Sequence, residues 1–120
     1  MKILVVEDEI LIQKSLQKLL KRGGADVDVT ASGIEAIELI STNDYDRVVC
    51  DLMLKDITGF DIIEDSRKKY NENEISKLFI IITAYSSPQV LEKAQGYGCM
   101  VVNKPFKNIQ DTINLFLGKV

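Results

Sequence analysis

Runs of apolar and β-branched residues alternate with amphipathic stretches five times along the chain, and no Pro/Gly/Ser-rich linker separates any two of them. No other feature constrains the fold as much. A strand, a crossover helix and a further strand build a parallel sheet with right-handed connections, and the helices then cover both of its faces. The spacing predicts strands over 2–6, 26–30, 47–53, 78–83 and 100–103.

The helical stretches carry their own start and stop signals. The first, from about residue 9 to 22, puts Ile12, Leu16, Leu19 and Leu20 on one face and Gln13, Lys14, Gln17, Lys18 and Lys21 on the other, and Gly23-Gly24 ends it. Ser32 and Glu35 have the spacing of a capping box for the second. A third helix follows Gly59, with Phe60, Ile63 and Tyr70 on one face, and runs out in "NENE". Ser87-Pro88 opens a fourth, which Gly96 stops, and the last turns Ile109, Ile113 and Phe116 inward.

The strands differ in character, and this orders them. "DVDVT" alternates acid and valine, as an edge strand does to discourage pairing with other chains. The unbroken apolar runs before Asp51 and Thr83 need burial on both faces, so those strands are central. The expected fold is α/β: a single doubly wound five-stranded parallel sheet, order 2-1-3-4-5, flavodoxin-like, one domain over residues 1–120.

Composition narrows the chemistry. With 46% hydrophobic and 28% charged residues, this is an ordinary globular composition. No apolar run reaches the roughly 18 residues of a membrane span, and "MKILVVEDE" has no export-signal pattern, so a cytoplasmic location without membrane insertion is expected. A net charge of −3 argues against nucleic-acid binding. Histidine is absent, which removes His-based zinc sites, Ser-His triads and a phosphohistidine on this chain. Cys50 and Cys99, both in apolar stretches, read as packing residues.

In the 2-1-3-4-5 order the strand ends bring Glu7 and Asp8, Asp51, Thr83 and Lys104 to one rim, at the point where the winding reverses. Clustered carboxylates repel: a like-charge pair near 4 Å costs about 4 kcal/mol at an effective dielectric of about 20. A divalent cation with oxygen ligands relieves this, and Mg2+ suits a site of few carboxylates shared with phosphate. Lys104 adds positive charge and Thr83 a hydroxyl donor, which together describe a pocket for a dianion. The plainest dianion is a phosphoryl group on Asp51, a carboxylate able to attack phosphorus without a general base.

"VVEDE", "VVCDLML", "IIITAY" and "VVNKPF" give the chain its resemblance to the response regulator receiver domains of two-component signalling, covering essentially the whole sequence. The match is to the stand-alone type represented by the bacterial chemotaxis regulator, itself the usual example of the 2-1-3-4-5 order. The resemblance implies phosphorylation of Asp51 and direct Mg2+ ligation by Asp8, with Glu7 alongside or through water and the Met53 backbone carbonyl as a further ligand. It implies that Thr83 and the Ala84 N–H grip the phosphoryl oxygens, that Lys104 pairs with them, and that Lys104-Pro105 is cis. The donor would be a sensor histidine kinase or a histidine phosphotransfer protein. The downstream target would dock on the fourth helix, fifth strand and fifth helix, a face through which a phosphorylation-dependent dimer could also form. With Val120 directly after the last helix, output is expected to be a protein contact, unless the chain is a segment of a larger regulator.

The sequence departs from that family in two places. Lys55 stands where proline is usual, which predicts a looser loop into the third helix. Val101 stands where an aromatic switch residue is usual, leaving Tyr85 or backbone shifts to carry the signal. Met53 and Tyr85 flank the path of water to the phosphoryl group, and their bulk predicts slow self-dephosphorylation. Taken singly, each site residue has a plainer explanation: Glu7, Asp8 and Glu9 favour a helix dipole, Asp51 is an ordinary loop acid, Thr83 caps a strand and Lys104 is a surface charge. Glu9 is expected to be structural only, and Phe60 and Phe106 to belong to the core.

Two other readings stay open. One is a degenerate receiver that binds partners without phosphorylation, which Val101 and Lys55 favour. The other is a Mg2+-dependent phosphohydrolase, which "CDLML" disfavours because it offers no acid-base partner after the nucleophile. The first expectation is a signalling domain rather than an enzyme.

Overall fold

The computed structural model describes residues 1–119. Val120, on which the expectation about output rests, lies outside them. The chain runs β1 (Lys2–Val6), α1 (Ile10–Arg22), β2 (Asp26–Thr30), α2 (Gly33–Thr42), β3 (Arg47–Asp51), α3 (Gly59–Ser66), α4 (Glu72–Leu78), β4 (Phe79–Thr83), α5 (Pro88–Tyr97), β5 (Met100–Asn103) and α6 (Ile109–Phe116). All strand pairs are parallel and the order is β2-β1-β3-β4-β5, the one that the strand count and the edge character of the outer strands favour.

The strands' period of two divides the core into two layers. Leu4, Val6, Val48, Cys50, Phe79 and Ile81 face one way, under Ala36 and Ile40 of α2, Phe60, Ile62 and Ile63 of α3, Ile75 of α4 and Ala94 of α5. Ile3, Val5, Val49, Ile80 and Ile82 face the other, against Leu16 and Leu20 of α1 and Ile113 and Phe116 of α6. Every residue of β4 is buried. Each fully buried aliphatic side chain contributes about 1.5–3 kcal/mol relative to exposure, so the sheet position of these strands is strongly specified.

Several details differ from the sequence reading: Leu78 ends α4 rather than opening β4, Gly96 lies inside α5 with Gly98 as its cap, and Ile109, expected inward, is 41% exposed. "NENE" does not continue α3 but opens a separate helix: Asn71 accepts the Glu74 N–H at 2.8 Å and Glu74 Oε1 accepts the Asn71 N–H at 3.1 Å, a closed capping box. The same short polar run serves as a helix tail or a helix start, and only the cap geometry decides. β3 ends at Asp51 rather than Met53, because the Met53 N–H turns back to the Asp51 carboxylate. Gln13, expected outside, is buried with its amide on the Glu7 carbonyl at 3.0 Å. The Ser32–Glu35 box is half made: Ser32 Oγ accepts the Glu35 N–H, but the Ser32 N–H goes to Thr30 Oγ1 at 3.1 Å.

Candidate functional site

β1 and its exit carry the acidic end. The Glu7 N–H donates to the Thr30 carbonyl at 3.0 Å, extending the β1–β2 ladder one residue and turning the Glu7 side chain inward, where it is fully buried. Its Oε2 accepts the Glu9 N–H at 3.2 Å. On the neighbouring strand Asp51, 4% exposed, accepts the Met53 N–H on Oδ1 at 3.2 Å. Gly59 lies directly behind: a Cβ there would stand 3.0 Å from the Asp51 carbonyl oxygen and 3.2 Å from Leu52 Cα.

The opposite wall comes from the ends of β4 and β5. The register pairs Asp51 with Ile82, so Thr83 stands one residue further along the adjacent strand. Thr83 is fully buried, and its hydroxyl accepts the Tyr85 N–H at 2.9 Å and donates to the Tyr85 carbonyl at 3.0 Å. Ala84 follows in the exposed turn. The Lys104 N–H donates to the Thr83 carbonyl at 2.9 Å, and the Lys104-Pro105 bond is cis.

Lys104 closes the site. Its ammonium, on a side chain only 7% exposed, lies 2.9 Å from Glu7 Oε1, 2.9 Å from Asp51 Oδ2 and 3.4 Å from Glu9 Oε1. One cation therefore serves two buried acids and a third that is exposed. Burial raises Glu7 to about 7, and its hydrogen bond to Lys104 only partly opposes this, while Asp51 pushes it further up. Burial also works against the charge on Lys104, but hydrogen bonds to Glu7 and Asp51 outweigh it and hold the ammonium above its ordinary value. Two carboxylates beside one lysine leave an unbalanced negative charge.

The residues fit a small, hard divalent ion. One carboxylate oxygen from each of Glu7, Asp8 and Asp51 lies within 4.8 Å of the others, and oxygen ligands suit Mg2+. The thiol of Cys50 faces the Asp51 carbonyl at 3.3 Å, and burial first, then Asp51 and Glu7, push its ionisation far up, so it offers no soft ligand.

The structure thus brings Glu7, Asp8, Asp51 and Lys104 together as the strand order requires, with Met53 bonded to Asp51 and Thr83 beside it. Glu9, expected to be structural only, reaches Lys104 with its carboxylate; the "EDE" run is its only signal in the sequence. Gly59, which the sequence marks only as a helix start, comes close behind Asp51 with nothing in the residue pattern to show it. Lys55 predicts a looser loop, yet residues 52–58 are tied by the Met53–Thr58 bridge and by Asp56 to the start of α2.

The fold and this rim place the molecule among doubly wound α/β proteins with an acidic pocket at the switch point of the sheet. Residues 3–114 match the response regulator receiver domain family, and the chain belongs to it. It is 31% identical to the non-phosphorylated HemR receiver domain from Leptospira biflexa, with a TM-score of 0.83 over 95% of this chain and 90% of that one. The receiver domain of the Francisella response regulator 1452 is 29% identical, with a TM-score of 0.82 over 97% and 93%. The transcriptional regulatory protein DltR of Streptococcus agalactiae is 34% identical over 89% of this chain and 46% of its own length. The chain spans half the length or less of the curated relatives it matches.

Proposed function

We propose that this receiver domain is a phosphoacceptor switch that takes a phosphoryl group from a partner's phosphohistidine onto Asp51. Receiver domains interact with histidine kinases, so a sensor kinase or a histidine phosphotransfer protein is the donor. An Asp51 carboxylate oxygen forms the new O–P bond as the P–N bond to the donor imidazole breaks, and the imidazole nitrogen keeps the electron pair. The carboxylate needs no general base, so the site's work is positioning and charge neutralisation.

Each residue has a part. Glu7, Asp8 and Asp51 hold Mg2+, with the Met53 carbonyl as a further ligand. Bound there, Mg2+ supplies positive charge to the oxygens of the incoming phosphoryl group. Lys104 moves from sharing Glu7 and Asp51 to pairing with a phosphoryl oxygen. The Thr83 hydroxyl leaves the Tyr85 carbonyl to donate to another, and the Ala84 N–H donates beside it. The output is a change in protein contacts at α5, β5 and α6, the face on which a phosphorylation-dependent dimer also forms.

The observation that carries this is Lys104 placed 2.9 Å from both Asp51 and Glu7 in a buried rim. Val101, a small side chain in the place of the usual aromatic switch, favours a second reading, a receiver that binds partners without being phosphorylated. No nucleic-acid contact is proposed for this domain itself, whose net charge is −3. Several relatives are transcriptional regulators of greater length, and a location in the cytoplasm accords with that. Among the described residues no helix is long and apolar enough to cross a membrane.

Intact-protein mass spectrometry after treatment with acetyl phosphate and Mg2+ separates the readings. One added phosphoryl mass, lost in Asp51→Asn, supports the switch. No gain supports the phosphorylation-independent form, and multiple turnover of a phosphate ester would indicate a hydrolase.

A further inference from the structure

The loop from Asp51 into α3, residues 52–58, is held at both ends. At its base the Gly59 N–H donates to the Leu52 carbonyl at 2.8 Å, and Met53 forms an isolated antiparallel bridge with Thr58. At its tip Asp56 reaches a different element. Its Oδ1 accepts the Gly33 N–H at 3.0 Å, and its Oδ2 accepts the Ile34 N–H at 3.0 Å and the Ser32 hydroxyl at 2.9 Å.

A helix start leaves four backbone N–H groups without intrahelical acceptors. At α2 all four are satisfied: Ser32 by Thr30 Oγ1, Glu35 by Ser32 Oγ, and Gly33 and Ile34 by Asp56. Two of the four therefore depend on a residue distant in the sequence. The bonds, those to Ile34 and Gly33 foremost, hold the Asp56 carboxyl far below its ordinary value despite its exposure. Gly33 brings the two elements close, since a Cβ there would stand 2.5 Å from Ile57 Cγ1 and 3.1 Å from Leu54 Cδ1.

The bridge serves the cap of α2 in a way a local Ser32–Glu35 box does not, because such a box reaches only the Ser32 and Glu35 N–H groups and leaves those of Gly33 and Ile34 to Asp56. What it adds beyond the cap is a fixed place for the loop. Lys55 gives the loop no ring to stiffen it from within, so while its base is held by its own bridge, its tip is fixed through Asp56 on the neighbouring helix. The same loop carries the Met53 N–H that bonds the Asp51 carboxylate at 3.2 Å.

We propose that Asp56 is a positioning residue for the phosphoacceptor site: by docking residues 52–58 on the start of α2, it holds the Met53 backbone against Asp51. This rests on the reading of Asp51 as phosphoacceptor and of the acidic rim as a Mg2+ site. The prediction is that loosening a carboxylate on the far side of the loop weakens a cation site it never touches.

The test compares Asp56→Ala, Asp56→Asn and Ser32→Ala with Asn71→Ala, which removes a cap from the remote helix α4. Three quantities are measured: hydrogen exchange at residues 52–54 in metal-free protein, affinity for Mg2+ alone by calorimetry, and Tm. Asp56→Ala is expected to raise exchange at 52–54 and to weaken Mg2+ binding about tenfold, the low end of what losing a partner behind a metal ligand costs. Ser32→Ala should fall between it and the parent. Asn71→Ala should lower Tm while leaving exchange at 52–54 and Mg2+ affinity unchanged. An Asp56→Ala protein that melts lower yet keeps parental exchange at Met53 and parental Mg2+ affinity overturns the proposal. If the parent protein binds no Mg2+, the reading of the site fails instead, and exchange at 52–54 alone decides the role of Asp56. Should Asp56→Ala not fold, Asp56→Asn, which keeps the side-chain volume and one oxygen, carries the same comparison.

Discussion

Lys104 and Asp51, 53 positions apart in the chain, meet in a 2.9 Å ion pair whose side chains are 7% and 6% exposed. The same ammonium is 2.9 Å from fully buried Glu7, so two buried acids share one cation. Removing the cation should therefore cost far more stability than removing one acid.

Lys104→Met leaves Glu7 and Asp51 buried side by side without their counter-charge. Breaking a buried pair this way typically costs about 3–5 kcal/mol. Asp51→Asn instead leaves one acid for one lysine, and its stability should stay within about 1 kcal/mol of the parent, because the lost attraction is offset by relief of the Glu7–Asp51 repulsion. Urea unfolding at neutral pH in the presence of a chelator measures both. An Asp51→Asn protein as unstable as Lys104→Met would contradict the shared-cation picture.

Glu7 predicts a pH dependence with a definite sign. Burial raises it from 4.5 to about 7, so between those values the folded state binds more protons than the unfolded state, and stability falls as pH rises through the window. The amplitude is at most about 3.5 kcal/mol, since each tenfold gain in proton affinity on folding is worth about 1.4 kcal/mol. Asp56 works in the opposite sense, but its folded value is depressed, so its contribution is lost only as pH falls below the unfolded carboxylate range, beneath this window. Unfolding free energies of metal-free parent and Glu7→Gln, taken across the window, should diverge in slope, with the variant flatter. A parent protein whose stability climbs from acid to neutral pH by the same amount as the variant's would falsify the assignment.

Gly59 and Gly33 both face atoms that a methyl group would meet, but the atoms differ. At Gly59 they are the backbone of Asp51 and Leu52, which β3 holds in place; at Gly33 they are side-chain carbons of Ile57 and Leu54, both only partly buried. Gly59→Ala should cost about 1–3 kcal/mol, the usual range for overpacking, and shift the Asp51 amide resonance. Gly33→Ala should cost at least as much, because Ile57 Cγ1, next to the Cβ of a β-branched side chain, stands 2.5 Å away and moves only with the loop that Asp56 docks on α2. Chemical denaturation of the two variants ranks them.

The parallel sheet is legible in the sequence from periodicity, while its order, and with it the meeting of Glu7, Asp8, Asp51 and Lys104, rests on the edge character of the outer strands together with the resemblance to receiver domains. Alternating strand and helix force a parallel sheet, and the last residue of each strand then falls on one rim. What is not legible depends on where a side chain points after the strand ends. Gln13 has the spacing of an outward residue and turns in to satisfy the Glu7 carbonyl. Asp56 looks like any loop acid until the start of α2 is brought beside it. "NENE" has the composition of a fraying helix and becomes a capping box because Asn71 leaves the helical region, with ψ of 173°.

The two thiols should differ in when they open to a reagent. The thiolate is the reactive form, and burial suppresses it at both sites, raising Cys99 to about 11 and Cys50 further. Native protein at neutral pH should therefore leave both thiols unlabelled by an aromatic disulfide reagent on the time scale in which the denatured chain reacts fully. Under mild denaturant the order is set by local opening. Cys99 immediately precedes β5, the four-residue edge strand, and is 7% exposed, whereas Cys50 is fully buried in β3 at the centre of the sheet. Cys99 should label first, through opening of the sheet edge, and Cys50 only with global unfolding, as followed by mass spectrometry of the labelled peptides. Mg2+ should slow labelling of Cys50 through global stability while changing that of Cys99 less, because Cys99 precedes the start of β5 and the rim lies beyond its other end at Lys104. Early labelling of Cys50 would mean that the centre of the sheet opens before its margin, which the burial of β3 and β4 on both faces opposes.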